Sequence, residues 1–438
     1  MEKFSELKYV RPDMPAIAAE TERAVAALES AADYKAARAA FMEIERISSK
    51  IETIASLASV RNTLDTTDKF YEDEVNYMSA ESAKMTGINK RGAQALLNSP
   101  FRADFEAEFG TQLTRTLAAE ERLQCEANVE LNIQQDLECV EFNKTAATCS
   151  CDFDGEQCNF YGLQRHMQST DRDERRRAFV KWAEMYESIS DKLDAQYDKL
   201  ISLRQEMAGR AGFSSFTEMA YLNMRRLDYG PEEVRAFREQ VKQYVVPVCD
   251  KLFKEQAERL GVDKLRYYDE ALIYPEGNAI PQGDMRTLVG KAQQMYRELS
   301  PETGEFFDFM VKYELFDLET HPGKHMGGYC TSLPDYNAPF IFSNFNGTSA
   351  DVDVLTHEAG HAFQAYTSMR CLPLKRYCWP TSEVCEIHSM TMEHFTYPWM
   401  DSFFGENAEK YRRALLMSAL EVVPYMCCVD EFQHRVYA

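Results

Sequence analysis

The chain has 438 residues, of which 49 are Lys or Arg and 71 are Asp or Glu, so its formal net charge is −22. This excess of negative charge argues against nucleic acid and anionic membranes as partners, because both attract basic surfaces. A hydrophobic content of 45% is enough for a buried core and excludes an intrinsically disordered chain.

The N-terminus and the cysteines favour a cytoplasmic protein without a membrane partner. The first ten residues contain no apolar stretch of the kind found in signal peptides. No segment approaches the roughly 18 apolar residues that a membrane-spanning helix needs. The 12 cysteines are scattered rather than arranged as a disulfide framework, so we expect reduced thiols.

Residues 1 to about 145 carry the repeating pattern of long helices. Between Phe41 and Leu57, large apolar side chains recur every three or four residues, which is the spacing of one helix face. Asn98-Ser99-Pro100 interrupts this pattern. No residue in this part points to a catalytic or metal-binding role, so we expect these helices to form a wall or a lid.

A short hairpin is predicted next, because Asp154-Gly155 stands between alternating residues and favours a tight turn. Cys149, Cys151 and Cys158 flank this turn. Their spacing, Cys-x-Cys followed by six residues and another Cys, matches no standard zinc site, and no fourth ligand is evident. We therefore interpret the segment as a structural hairpin.

A second helical block begins near Ser169, and the pattern predicts a helix from about Asp284 to Leu299. Residues 313–347 no longer show the helical pattern. Gly327–Thr331 and Phe340–Phe345 are predicted to be two short strands, joined by a connection rich in turn residues.

The segment Thr348–Gln364 follows directly and holds the pattern His357-Glu358-x-x-His361. On a helix the two imidazoles lie one turn apart on the same face and can bind one metal ion. Glu358 lies beside that face, where it can accept a proton from an activated water, as in zinc peptidases. Thr348 and Asp351 are expected to form a capping box at the start of this helix.

A catalytic zinc needs a third protein ligand and an open position for water. A helix predicted from about Ser382 to Phe395 offers Glu383, Glu386 and Glu393. His388 lies two positions from Glu386 and is expected to point to the other side of the helix. Since Glu383 and Glu386 share one face, spacing alone leaves both open as the ligand.

The predicted strand Gly327-Gly328-Tyr329-Cys330-Thr331 suggests where a substrate binds. Zinc peptidases hold an extended peptide by backbone pairing to a strand beside the metal helix. Gly327 and Gly328 allow another backbone to approach closely. A structural hairpin that supports the helix is the alternative.

Three stretches together resemble the oligoendopeptidase F family, relatives of thimet oligopeptidase among the gluzincin metallopeptidases. These stretches are His-Glu-Ala-Gly-His-Ala-Phe-Gln, the preceding Pro-Phe-Ile-Phe-Ser-Asn-Phe-Asn-Gly-Thr, and the following Ser-Glu-Val-Cys-Glu-Ile-His-Ser-Met-Thr-Met-Glu. The resemblance is strongest from about Ser169 to the end of the chain. It implies a mainly α, multi-helix zincin-type fold, with a small β-sheet beside the metal helix and a deep cleft.

The resemblance also implies roles for single residues. The family's Glu-x-x-Ser-x-x-x-Glu pattern fits Glu386, Ser389 and Glu393, which selects Glu386 as the third ligand of one zinc ion per chain. Glu393 is then expected to steady the site from behind the ligands. Asp353 lies on the ligand face and is expected to do likewise, although a solvated acid at a helix start is equally plausible. Gly327 to Cys330 resemble the substrate-pairing edge strand.

We expect two domains: residues 1–160 as an N-terminal helical wall of the cleft, and residues 161–438 as the catalytic domain. Family members continue beyond the position that corresponds to Ala438 with a segment bearing His and Tyr, so we expect a C-terminally truncated chain. A transition-state donor would then be lost, which typically costs ~10²–10³ in turnover.

The predicted function is therefore zinc-dependent hydrolysis of peptide bonds in oligopeptides, with Glu358 as the base. The alternatives are a non-catalytic peptide-binding scaffold or an inactive truncated peptidase, and a structural zinc site or purely helical scaffold is weaker still.

Overall fold

The computed structural model describes residues 1–438, and the fold is mainly helical. Nineteen α-helices surround two small sheets. Seven helices precede the first strand: α1 Met14–Glu29, α2 Tyr34–Leu64, α3 Lys69–Lys84, α4 Thr86–Leu97, α5 Arg102–Phe109, α6 Thr111–Leu123 and α7 Val129–Ala147. Aspartates cap several of them: the side chain of Asp13, for example, accepts a hydrogen bond from the Ala16 N–H at the start of α1.

The predicted hairpin is present, with strands β1 Cys151–Phe153 and β2 Glu156–Cys158. Both turn residues have positive φ, 53° at Asp154 and 88° at Gly155, as a two-residue hairpin turn requires. Eight helices follow: α8 Phe160–His166, α9 Arg172–Glu187, α10 Ser190–Arg210, α11 Phe216–Asn223, α12 Pro231–Gln240, α13 Val246–Leu260, α14 Met285–Leu299 and α15 Pro301–Lys312.

A three-stranded sheet forms the centre of the second half of the chain. Its strands are β3 Phe316–Glu319, β4 Tyr329–Leu333 and β5 Ala338–Phe345, in the order β3-β5-β4. β5 pairs antiparallel with β4 and parallel with β3. All eight residues of β5 are buried, and five of them belong to the largest apolar cluster of the protein. The prediction identified β4 and β5 but missed β3.

The N-terminal segment contributes to this same cluster. Phe4 packs on Phe340 of β5, with ring centroids 4.2 Å apart, and the Phe4 N–H donates to the Tyr313 carbonyl. The first residues of the chain therefore pack into the central core.

Four helices complete the chain: α16 Ala350–Cys371, α17 Ser382–Phe395, α18 Met400–Phe404 and α19 Ala408–Val436. α16 packs against both β5 and α17. At the crossing of α16 and α17, a Cβ placed on Gly360 would lie 2.7 Å from Ser389 Cα and 2.8 Å from the His388 carbonyl oxygen. Only a glycine lets the two backbones come this close.

The expected capping box at the start of α16 is wrong. The N-cap is Ser349, and no side chain caps the helix. Asp351 instead accepts hydrogen bonds from the backbone N–H groups of Asn346 and Gly347, both at 2.9 Å, while Thr348 donates to the Asn346 side chain. The carboxylate thus stabilises the loop that leads from β5 into the helix. None of the 19 helices is both long and apolar enough to cross a membrane.

Replacing Gly360 by Ala is expected to lower the free energy of unfolding by about 1–3 kcal/mol, because the added Cβ forces α16 and α17 apart. The measurement is the midpoint of denaturant unfolding. Gly290 of α14 is the matched control, since a Cβ there has no neighbour within 4 Å; Gly290→Ala is expected to stabilise by up to about 1 kcal/mol. Equal effects at both positions would contradict this interpretation.

Candidate metal centre

Two helices bring three potential metal ligands together. α16 carries His357 and His361, and α17 carries Glu386. Glu386 Oε2 lies 3.2 Å from His357 Nε2 and 3.6 Å from His361 Nε2. The two imidazole planes are nearly perpendicular, with ring centroids 5.0 Å apart. The three donor atoms therefore converge on one point.

These donors fit a divalent metal ion of the zinc class. All three lie within 4.8 Å of one another. In a tetrahedral shell with bonds of about 2.0–2.1 Å, neighbouring ligand atoms are ~3.3 Å apart, close to the observed nitrogen–oxygen separations. Two histidines and one carboxylate are also the donor set of catalytic rather than closed structural sites.

One neighbouring carboxylate and one hydroxyl orient two of the three ligands. Glu393 Oε1 lies 2.6 Å from His357 Nδ1, which leaves Nε2 directed at the metal position. Ser389 Oγ donates to Glu386 Oε2 at 2.8 Å. His361 Nδ1, in contrast, is buried without a hydrogen-bond partner in the protein. The two imidazoles therefore have different supporting contacts.

The charges of the site already favour a cation. Burial opposes protonation of His357, but hydrogen bonds to Glu386 and Glu393 outweigh it and raise the pKa to about 10. The same hydrogen bond to His357 lowers the pKa of Glu386 to about 2. Since a metal binds only neutral imidazole, an ion entering here displaces the His357 proton, and its affinity depends on pH.

Glu358 lies next to the ligands but is not one of the converging donors. It is 7% exposed, and its Oε2 has no hydrogen-bond partner. Burial raises its pKa to about 7, and the charge of Glu386 adds to this shift while His357 opposes it. A carboxylate with a pKa near neutrality can both accept and return a proton at working pH.

Asp353 lies behind the site rather than in contact with the imidazoles. Its Oδ1 accepts a hydrogen bond from the Tyr411 hydroxyl at 2.6 Å, and burial raises its pKa to about 7. Sequence reasoning missed Tyr411, which lies on α19, 58 residues away along the chain. No local motif signals such a contact.

The other candidates on α17 lie apart from the metal position. Glu383 pairs with Arg226 of the α11–α12 connection. His388 is not among the converging donors, and its Nδ1 is buried without a partner. Tertiary contacts thus distinguish Glu386 from Glu383, which spacing alone did not.

The backbone that leads into β4 passes directly beside Glu358. A Cβ on Gly328 would lie 3.5 Å from Glu358 Oε1. Gly327 has φ of 94°, its N–H donates to the Tyr161 hydroxyl at 2.5 Å, and its carbonyl accepts from Asn344. One edge of β4 pairs with β5, and no strand pairs with the other edge.

The first two residues of β4, Tyr329 and Cys330, are half-buried. The Tyr329 hydroxyl lies 2.6 Å from Thr63 Oγ1 of α2, which joins this strand to the N-terminal helices. Burial raises the pKa of the Cys330 thiol well above its ordinary value. A raised pKa keeps the thiol protonated near neutral pH, which makes it a poor nucleophile.

Comparisons with known proteins identify related sequences and related folds. The peptidase M3 N-terminal domain matches residues 4–123, and peptidase family M3 matches residues 165–275 and 303–437. No curated protein matches in the sequence search. A crystal structure provisionally assigned to oligoendopeptidase F is 42% identical with a TM-score of 0.98, and the alignment covers 100% of this chain and 77% of the other.

Two further solved structures are similar over nearly the whole chain. PZ peptidase A with an inhibitor is 42% identical with a TM-score of 0.98, covering 99% of this chain and 77% of that one. A protein from Bacillus anthracis str. Ames, also provisionally assigned to oligoendopeptidase F, is 40% identical with a TM-score of 0.97, covering 100% and 80%.

Glu386→Gln is expected to remove the bound metal, because an amide is a far weaker ligand than a carboxylate. The measurement is metal content per chain after dialysis, by elemental analysis. Glu383→Gln is the matched control on the same helix face and should keep its metal. Loss of metal in the Glu383 variant, or retention in the Glu386 variant, would reverse the assignment.

Proposed function

The chain belongs to peptidase family M3, and we propose that its metal centre is a single zinc ion held by His357, His361 and Glu386. The protein is a metallopeptidase that acts on peptides. The convergence of Glu386 Oε2 on both imidazole Nε2 atoms carries the proposal, since it supplies three ligands and leaves further positions open. Zinc suits this mixture of nitrogen and oxygen donors.

Bound zinc supplies a Lewis acid for the scissile carbonyl and a water acidified to a pKa of about 7. Glu358 is then the proton carrier, because its buried Oε2 has no competing partner. It accepts the proton of the attacking water and delivers it to the amine of the departing peptide. Glu393 and Ser389 keep His357 and Glu386 oriented throughout.

Asp353 has a less direct role in this proposal. Its hydrogen bond to the Tyr411 hydroxyl fixes the first turns of α16 against α19. This contact supports the position of His357, which follows Asp353 by one helical turn. Asp353 is therefore a positioning residue.

An extended oligopeptide is proposed to pair with the free edge of β4 and the two residues before it, along Gly327, Gly328, Tyr329 and Cys330. Support comes from the unpaired outer edge of β4 and from the closeness of Gly328, directly before the strand, to Glu358. Gly328 carries no side chain that would separate the peptide from the carboxylate.

The domain division at residue 160 is proposed to make two walls around this strand. Residues 1–160 supply α2, from which Thr63 and Glu52 contact Tyr329 and Ser332. Residues 161–438 supply the metal helices and the sheet. A cytoplasmic location is also proposed, supported by the free state of all 12 cysteines.

Glu358→Gln is expected to lower kcat about 10²–10⁴-fold while the metal content stays unchanged, because the amide cannot accept the proton. The measurement combines hydrolysis of an internally quenched peptide with elemental analysis. Glu383→Gln serves as the control with unchanged kcat and metal content. Wild-type turnover by the Glu358 variant with zinc bound would exclude Glu358 as the base.

Backbone methylation of the substrate tests strand pairing. In an extended peptide only alternate N–H groups face one neighbouring strand. Single N-methyl groups on those positions are expected to raise KM about 2–10-fold each, the value of one lost hydrogen bond. Methyl groups at the intervening positions are the control. A uniform effect along the peptide would contradict pairing with β4.

A further inference from the structure

A second group of potential metal ligands lies at the β1–β2 hairpin, outside the site described above. Glu156 and Cys158 are on β2, and His166 is the last residue of α8. Their donor atoms all lie within 4.8 Å of one another, and Glu156 Oε2 is 3.5 Å from His166 Nε2. Three different residue types with affinity for metals therefore face one point.

His166 is held in the orientation of a metal ligand. Its Nδ1 lies 2.7 Å from Glu174 Oε1, and Glu174 is itself fixed by a hydrogen bond from the Ser169 hydroxyl. The opposite nitrogen, Nε2, is buried and has no hydrogen-bond partner. A carboxylate on one ring nitrogen and an unpartnered second nitrogen is the usual environment of a ligating histidine.

Cys158 supplies the most deeply buried of the three donor atoms. It is 1% exposed, and its sulfur packs so closely on Gly162 that a Cβ there would lie 3.2 Å away. Glu156 is the most exposed of the three donors, with a side chain about half exposed. Arg165 also donates to both oxygens of Glu156 at 2.6 Å, so it competes for this carboxylate.

We propose that Glu156, Cys158 and His166 bind a second divalent metal ion of the zinc class. A thiolate with an imidazole selects zinc over magnesium or calcium. A tetrahedral shell with zinc–sulfur bonds of about 2.3 Å needs donors ~3.5 Å apart, so the present group has to contract. Rotation of the half-exposed Glu156 away from Arg165 provides this movement, and water occupies the remaining position.

The ion would tie the hairpin to α8 and, through Glu174, to α9. α8 in turn contacts the backbone that leads into β4, because the Tyr161 hydroxyl accepts a hydrogen bond from the Gly327 N–H. The hairpin lies between residues 123 and 165, in the gap between the two matched family segments. The second site therefore has a structural role at the junction of the two halves, and its binding free energy adds to folding stability.

Cobalt substitution of the full chain tests this site under reducing conditions. The proposed catalytic site contains no sulfur ligand, so a near-ultraviolet sulfur-to-cobalt charge-transfer band reports only on a thiolate site. Wild type should bind two metal equivalents and show the band. Cys158→Ala should lose the band and one equivalent yet retain peptidase activity, which separates this inference from the proposed function.

Cys149→Ala is the matched control, because the Cys149 thiol donates to the Thr145 carbonyl at the end of α7. It should keep the band. Glu174→Gln should weaken cobalt binding at this site about 10–100-fold without removing the band. If Cys158→Ala does not fold, Glu156→Gln alters only a half-exposed side chain and should lower affinity at least about tenfold.

A wild-type chain that shows no charge-transfer band would overturn the proposal. So would a band that persists in Cys158→Ala, or cobalt affinity at this site that is unchanged in both Glu156→Gln and Glu174→Gln. The last result would mean that His166 is only part of an ion pair between two glutamates.

Discussion

The metal centre depends on how closely two helices approach each other. Gly360 of α16 lies against the backbone of Ser389 and His388 in α17, at a distance that excludes any side chain. Glu386 precedes Ser389 by one helical turn, so the contact that sets the helix separation also places the carboxylate beside both imidazoles. Backbone packing, rather than a flexible side chain, determines the geometry.

Ser389 connects this packing to the chemistry. It is fully buried at the helix crossing, yet its hydroxyl binds the carboxylate of Glu386, whose side chain is about half exposed. An exposed glutamate would otherwise sample many rotamers, and fixing it on binding costs entropy. The helix crossing therefore preorganises the third ligand as well as the two histidines.

Much of the site could be predicted because its signals are local. Helical periodicity alone places His357 and His361 on one face, and the predicted limits of α17 agree with the structure. Periodicity could not decide between Glu383 and Glu386 as the third ligand, since both share a helix face. The ion pair with Arg226, which is 157 residues away in sequence, holds Glu383 and so distinguishes it from Glu386. The family resemblance supplied this choice before the structure did.

Other features had no local signal. β3 is four residues long and joins the sheet in parallel, beside a strand that follows it by about 20 residues. Tyr411 reaches Asp353 from a distant helix. At the hairpin, the spacing of the cysteines argued against a zinc site formed by cysteines. Cys149 and Cys151 are not among the donors of the group proposed here. The group around Cys158 combines a strand with a helix end, which no cysteine motif describes.

The contact of Phe4 with Phe340 has a consequence for synthesis of the protein. The ribosome must produce roughly 340 residues before this aromatic pair can form, which takes roughly 15–70 s at 5–20 residues per second. During that time the apolar residues of the N-terminal segment lack their partner strand. Phe4 therefore stays without its β5 partner for most of the time that the ribosome needs to synthesise the chain.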